Sequence, residues 1–157
     1  MQKIALITGT GEGIGKAIAK LLLKENFKVF GYSRTNHIKS RNFTFIKIDL
    51  SSLEEVQKII FPKMDSSSNI ILINNAATIG EITTLDKKSE ARIIYEYKLN
   101  IITPTILCKK FTQSYTALNK LIINISSGAA NKAISSWSTY CATKSALNML
   151  TQVIAKE

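Results

Sequence analysis

The sequence predicts an α/β fold, a parallel sheet with helices on both faces. Three observations carry that prediction. Strand-length apolar runs alternate along the chain with segments of helical periodicity, the pattern of repeated strand–helix–strand units. The first run, Lys3 to Thr8, leads straight into the glycine-rich stretch Gly9 to Gly15 and then into a helical segment. Near the other end, the apolar run Leu121 to Ile125 leads to Ser127 and then to a helical segment that carries Tyr140 and Lys144 one turn apart.

The chain has 157 residues, 45% of them hydrophobic, and only two prolines, which suffices for one sizeable core and a single domain over 1–157. No apolar run approaches the roughly 20 residues of a membrane span. Met1 to Ile7 is too short for the apolar region of a signal peptide and has no small-residue cleavage site. A cytoplasmic protein with no membrane partner is therefore expected. Cys108 and Cys141 lack metal-ligand or redox spacing and read as small packing residues, so no metal is expected. The net charge of +10 raises the question of nucleic acid. The basic residues are spread along the chain, never more than two in succession, with no aromatic residues interleaved as stacking platforms. A solvated basic surface, favourable to polyanionic small ligands, is the expected account, and no nucleic-acid partner.

Lys3 to Thr8 reads as a buried strand. After the glycines, Ile14, Ala17, Ile18, Leu21 and Leu22 recur at helical spacing, with Lys16, Lys20, Lys24 and Glu25 on the outer face. Glycines let the loop turn tightly and approach a ligand, and the free amides at the helix start favour a phosphate. A dinucleotide pyrophosphate fits that place. Lys28 to Ser33 reads as the second strand, followed at once by Arg34, where a dinucleotide fold meets the adenosine ribose. An acidic residue there would accept the ribose hydroxyls. Ser33 and Arg34 instead offer a hydroxyl and a guanidinium suited to a 2′-phosphate, so NADP is expected rather than NAD. Glu12 counts mildly against this, because it adds negative charge to the same loop.

Asn36 to Asn42 leaves room for at most a turn or two of helix. Phe43 to Ile48 reads as the third strand, closed by Asp49 and Leu50, with Asp49 suited to accept from an adenine amine. Ser51-Ser52-Leu53-Glu54-Glu55 contains two overlapping capping boxes and predicts a helix to about Phe61, stopped by Pro62. Ser66 to Asn69 reads as a loop. Ile70 to Ile73 reads as the fourth strand, ending in Asn74-Asn75-Ala76-Ala77, whose small residues let a ligand lie against the backbone. After a polar connection, Thr78 to Ser89, a long helix is predicted from Glu90 toward Phe111. Pro104 lies inside it and offers no N–H to the carbonyl of Asn100. The outcome is a mere kink or, as favoured here, a carbonyl free to hold a water on a proton path to Lys144. Leu121 to Ile125 reads as the fifth strand, and the last helix is predicted from near Ser138 to the final residue.

Tyr140 and Lys144 carry the chemistry. A phenol titrates near 10, and bringing it to neutrality takes roughly 4 kcal/mol of preferential stabilisation of the phenolate, which a neighbouring ammonium supplies. Ser127, at the C-terminal end of a parallel strand, is suited to orient a carbonyl or alcohol oxygen toward Tyr140. A Tyr-x-x-x-Lys pair alone is common on ordinary helices; the glycine loop at the other end of the chain favours the chemical reading. Trp137 and the segment Ala129 to Ser136 either line a substrate pocket or pack. His37 has no partner in the pattern and is assigned no role.

Taken in order, Thr8-Gly9-x-x-x-Gly13-x-Gly15, Asp49, Asn74-Asn75-Ala76, Asn100, Ser127 and Tyr140-x-x-x-Lys144 resemble the short-chain dehydrogenase/reductase family over the whole chain. The stretches ISSGAA and WSTYCATKSALNML are most similar to its sepiapterin reductase and benzil reductase branch. The resemblance implies a Rossmann-type doubly wound sheet in the order 3-2-1-4-5. It implies a tetrad in which Ser127 holds the substrate oxygen, Tyr140 donates or removes its proton, Lys144 lowers the Tyr pKa and binds the nicotinamide ribose, and Asn100 holds a relay water. Gly9, Gly11, Glu12, Gly13 and Ile14 would lie along the pyrophosphate and adenosine ribose, Arg34 at the 2′-phosphate, Asp49 and Leu50 at adenine, and Asn75 and Ala76 near the adenosine ribose. The implied reaction is NADPH-dependent reduction of a ketone or aldehyde to an alcohol, in a homo-oligomer paired through the helices carrying Asn100 and Tyr140.

Three departures qualify the resemblance. Ala77 stands where the family usually has glycine, and Glu12 where many NADP-using relatives carry a basic residue. The chain also ends at Glu157 within the helix bearing Tyr140, without the family's sixth and seventh strands. The expectation is a truncated form whose adenosine half is complete and whose nicotinamide half lacks a wall. The alternative is a catalytically inactive NADP-binding module.

Overall fold

The computed structural model describes residues 2–64, 68–116 and 119–157. Five strands, β1 (Lys3–Thr8), β2 (Lys28–Ser33), β3 (Phe43–Lys47), β4 (Asn69–Asn74) and β5 (Asn119–Asn124), form one sheet in the order β3-β2-β1-β4-β5. Every neighbouring pair is parallel. The predicted Rossmann-type order is thus the observed one. The connections carry helices α1 (Gly13–Lys24), α2 (Leu53–Lys58), α3 (Glu90–Tyr97) and α4 (Thr103–Ser114), and α5 (Ser138–Ile154) follows β5.

Successive strand residues point to opposite faces, so a central strand with apolar residues throughout builds two cores at once. In β1, Ile4 and Leu6 join Phe30, Tyr32, Leu72, Val56, Leu107 and Phe111 on one face. Ala5 and Ile7 join Val29, Ile73 and Ala19 on the other, beneath Ile18, Leu22 and Leu23 of α1. Gly31 of β2 belongs to this second face, where a Cβ would lie 2.5 Å from both the Phe43 ring and Thr10 Oγ1. Both faces are therefore closed at the centre of the sheet. The outer strand β5 is more open, with Leu121 52% exposed.

Several local predictions are corrected. α2 ends at Lys58 rather than near Phe61, because Ile59 and Phe61 are both buried while Ile60 between them is exposed. Extended backbone sends alternate residues to one side, and helix does not. The Lys110 ammonium closes this end by donating to the carbonyls of Gln57 (2.8 Å) and Ile59 (3.0 Å). The overlapping capping boxes resolve into one true cap. Ser52 Oγ accepts from Glu55 N–H at 3.3 Å, and the Glu55 carboxylate reaches past Ser52 to the amide of Asp49 at 3.0 Å. Residues 36–42 form no helix. The predicted loop over Ser66 to Asn69 lies partly outside the described residues, and Asn69 itself begins β4. The long helix from Glu90 is α3, a π turn over Lys98–Ile102, and α4, which runs on to Ser114. Pro104 stands in the first turn of α4, so the missing N–H is met by a wider turn rather than by a simple kink. Among the described residues no helix is long and apolar enough to cross a membrane.

Candidate active site

In an open parallel sheet, connections on either side of the first strand leave a crevice at the strands' C-terminal ends. Here that point lies between β1 and β4, and a cleft of about 630 Å³ opens there. Its lining comes from four strand ends: Gly9, Gly11, Glu12 and Ile14 after β1; Ser33, Arg34 and Thr35 after β2; Ile48, Asp49 and Leu50 after β3; Asn75, Ala76 and Ala77 after β4. Tyr95 of α3 and Leu99 of the π turn close the side. A more apolar hollow of about 430 Å³ lies between β2, β3 and α2. None of the motif residues lines it.

The glycine loop is held from the neighbouring strand. Asn75 Nδ2 donates to the carbonyls of Thr8 (3.0 Å) and Gly9 (3.3 Å), and Thr8 Oγ1 accepts from the amides of Asn75 (2.9 Å) and Ala76 (3.0 Å). Gly9 has φ +74°, where a Cβ is strained, and Gly15 lies so close beneath it that a Cβ would sit 2.3 Å from the Gly9 oxygen. Asn75 lines the cleft, but its amide protons are committed to the loop. It braces the site. Gly13 is the first residue of α1 and stands between the cleft residues Glu12 and Ile14. Glu12 precedes it in extended conformation without a side-chain cap bond, so the first amides of α1 have no side-chain acceptor.

At the far corner the expectation for Ser33 is also corrected. Its hydroxyl is buried, donates to the Thr35 carbonyl at 2.7 Å and lies 3.1 Å from Thr10 Oγ1. It shapes the turn after β2 and is not available to a ligand phosphate. Arg34 is exposed, and its charge together with two hydrogen bonds from Ser51 (Oγ 2.7 Å, N–H 2.9 Å) holds Asp49 below the usual carboxylate range. The Ser51 bonds are the larger cause. Arg34 and the ionised Asp49 therefore sit in the same corner, a cation and an anion.

On the far side of β4, Lys144 is buried and its ammonium donates to the carbonyl of Ile125 at 2.8 Å, just before Ser127. Burial pushes its pKa down. The same Nζ lies 5.8 Å from the centroid of the Tyr140 ring, which packs edge to face with Trp137, their ring centroids 5.8 Å apart. Tyr140 is half-buried, and its hydroxyl has no protein partner among the described residues. Ser127 stands at the start of a short 3₁₀ turn, Gly128–Ala130, its Oγ accepting from the Ala129 amide at 3.2 Å with its own proton uncommitted. Asn100 is buried in the π turn. Its side chain pairs with both backbone groups of Thr78, accepting from N–H (2.9 Å) and donating to the carbonyl (2.8 Å), and donates to Thr143 Oγ1 at 3.2 Å.

Sequence reasoning missed Thr35, Ile48, Tyr95 and Leu99 in the cleft, and Thr143 beside Asn100. Thr35 packs against Gly11, where a Cβ would lie 2.5 Å from Thr35 Oγ1, a contact that only the fold brings about. Also missed was a buried ion pair between Lys88 and Glu96. Among the described residues no group of His, Cys, Asp and Glu is placed to hold a metal ion.

A sequence profile described as short chain dehydrogenase matches residues 3–157. The chain is 33% identical to benzil reductase ((S)-benzoin forming) of Bacillus cereus, over 99% of this chain and 68% of that protein. A crystal structure of a short-chain dehydrogenase/reductase from Burkholderia vietnamiensis superposes with a TM-score of 0.89 at 27% identity, covering 99% of this chain and 77% of that one. A 4-hydroxyisoleucine dehydrogenase solved in complex with NADH gives a TM-score of 0.87 at 26% identity, over 99% of this chain and 67% of that one.

Proposed function

Because this chain belongs to the short-chain dehydrogenase family, we propose that it transfers a hydride from NADPH to a ketone or aldehyde carbonyl. The observation that carries the reading is the assembly in one cleft of the glycine loop, Arg34, Asp49, Leu50, Asn75 and Ala76, brought from four separate strand ends. The fit to a dinucleotide is structural. Glycine backbone at Gly9 and Gly11, uncapped amides at the start of α1 and a cleft of about 630 Å³ suit a pyrophosphate with an adenosine beside it. In this reading Gly9, Gly11, Glu12, Gly13 and Ile14 follow the pyrophosphate, Asp49 and Leu50 the adenine, Asn75 and Ala76 the adenosine ribose, and Arg34 the 2′-phosphate. Arg34 has no committed hydrogen bond and supplies the guanidinium fork that a phosphate prefers. NADP is the expected cofactor on that ground.

When bound, the nicotinamide supplies the hydride. The chain's own groups do the rest. Ser127 Oγ donates to the carbonyl oxygen and orients it. Tyr140 gives that oxygen its proton as the hydride arrives at carbon, so the ketone becomes an alcohol with hydrogen and charge balanced. The Lys144 ammonium lies beside the Tyr140 ring and stabilises the phenolate left behind; it would also hold the nicotinamide ribose of the bound cofactor. Asn100, fixed by Thr78, holds the water that returns a proton. The benzil reductase relative suggests an aromatic diketone as the first substrate class to try. A homo-oligomer paired through the helices carrying Asn100 and Tyr140 is part of the same reading, consistent with exposed Ile94, Ile102 and Met149 on those elements.

Fluorescence titration of the protein with NADPH and NADH, beside an Arg34→Ala variant, tests the cofactor assignment. NADPH is expected to bind more tightly, and to weaken selectively in the variant. NADPH oxidation with benzil as probe then tests turnover, with Tyr140→Phe expected to abolish it. Tight NADPH binding without turnover of any carbonyl would favour a non-catalytic NADP-binding module, and binding of neither cofactor would overturn both.

A further inference from the structure

Between α3 and α5 lies a charged cluster wholly out of solvent. The side chains of Lys88 and Glu96 are 1% and 0% exposed. Lys88 Nζ donates to both carboxylate oxygens of Glu96 at 3.1 Å and to Thr139 Oγ1 at 2.8 Å, which uses all three of its protons. Thr139 Oγ1 in turn donates to Glu96, and the Glu81 amide donates to the same carboxylate at 3.4 Å. Gly80, at φ +69°, lies flat against it. The cluster thus joins the loop after β4, helix α3 and the first turn of α5.

A buried ion pair is a poor device for stability alone, because apolar side chains of the same volume hold two helices together as well or better. What apolar contact lacks is direction. Hydrogen bonds fix how a helix is rotated about its axis, and the first turn of α5 needs that, since its N-cap residue Trp137 supplies no side-chain bond. Two rungs run between the elements with the same spacing on each side: Glu96 to Thr139, and four residues on in both, Asn100 to Thr143. Thr139 and Thr143 share one face of α5. Tyr140 and Lys144 are the next residues of each pair, about 100° around the helix.

We infer that Lys88, Glu96 and Thr139 are positioning residues, which lock the rotation of α5 and thereby aim Tyr140 and Lys144 into the site. The inference rests on the proposed reaction only for its kinetic consequence; the geometric one stands apart. Trp137 is the chain's single tryptophan and meets Tyr140 edge to face at 78°, so its near-ultraviolet circular dichroism reports how Tyr140 is set.

The test compares the full chain with Thr139→Val, which keeps shape and loses the hydroxyl, and Thr139→Ser, which restores it. Thr139→Val is expected to alter the Trp137 signal and to lower kcat on the diketone probe by about 10- to 100-fold, as for a catalytic group misplaced by an ångström. Its NADPH dissociation constant should rise far less than kcat falls, by at most about fivefold, because only the Lys144 contact to the nicotinamide ribose is displaced while the rest of the cleft, on the other side of β4, is untouched. Thr139→Ser should recover both signal and kcat. An unchanged Trp137 signal in Thr139→Val would overturn the inference, as would a loss of kcat matched by equal loss of NADPH binding, which marks general unfolding. If the unmodified chain turns over no carbonyl, the proposed function fails, and the dichroism of the two variants still decides the positioning role.

Discussion

Lys144 Nζ donates a hydrogen bond of 2.8 Å to the carbonyl oxygen of Ile125. That bond ties the helix face bearing Tyr140 to the strand end bearing Ser127, so Ser127, Tyr140 and Lys144 keep a fixed spacing. It also takes the ammonium out of water, and burial lowers its pKa from 10.5.

A pH dependence follows from that burial. In the unfolded chain the amine keeps its ordinary value, so between the lowered pKa and 10.5 the unfolded state binds more protons than the folded one. Stability contributed by this group therefore rises with pH across that window. Lys144→Met removes the group, and calorimetry of both proteins from about pH 7 upward should show the melting temperature of the unmodified chain gaining on that of the variant. Parallel curves would mean that the ammonium is not desolvated.

The glycines differ in what they are for, and substitution separates them. In Gly15→Ala the new methyl meets the Gly9 oxygen at 2.3 Å and Asn75 Nδ2 at 2.4 Å. Overpacking of this kind costs about 1–3 kcal/mol, and because the displaced atoms hold the glycine loop, NADPH affinity should fall as well. Gly128→Ala meets nothing within 4 Å at ordinary φ, and its stability should change by no more than about 0.5 kcal/mol. Equal effects of the two on denaturant midpoints would refute this account of the loop.

Asn100 pairs with both backbone groups of Thr78 across the mouth of the site. Asn100→Ala leaves those two groups unpartnered, a loss of about 2 kcal/mol or more. Thr143→Val removes a single acceptor from Asn100 and should cost about 1 kcal/mol. Urea denaturation of both variants checks the ranking, and the reverse order would show that Thr78 finds other partners.

The strands, the glycine loop and the corner at Arg34 and Asp49 were legible because each is written in a short stretch of chain, whereas the order of the strands came from the family resemblance. Apolar strand runs, glycine at a forced φ and the Tyr-x-x-x-Lys spacing are local signals. What escaped was set by contacts distant in sequence. Lys88 follows another lysine, and Glu96 stands between Tyr95 and Tyr97 in a helix whose pattern does not mark a charge as buried; their partner Thr139 is 51 residues from Lys88. Ser33 was read as a ligand group from its place at the end of β2, whereas its proton goes to the Thr35 carbonyl and Thr10, 23 residues away, meets the other side of the hydroxyl. The early end of α2 likewise depends on Lys110 from another helix.

Glu12 and Arg34 face the same cleft with opposite charge, and the ratio between two cofactors separates their roles. Glu12 stands at the start of α1, where the proposed reading places the pyrophosphate of either dinucleotide, so Glu12→Gln should tighten both NADH and NADPH. An exposed charge of this kind contributes about 0.5–1 kcal/mol, roughly two- to fivefold in affinity, and the gain should shrink as salt is added. NADPH carries the extra phosphate and should gain more. Arg34→Ala acts on the other side of the ratio: NADPH weakens while NADH is nearly unchanged, since without a 2′-phosphate the guanidinium has little to hold. Titrations at low and high salt measure all four affinities. If Arg34→Ala weakens the two cofactors alike, the guanidinium is reading the ribose or the adenine rather than a 2′-phosphate, and the cofactor assignment moves to NAD.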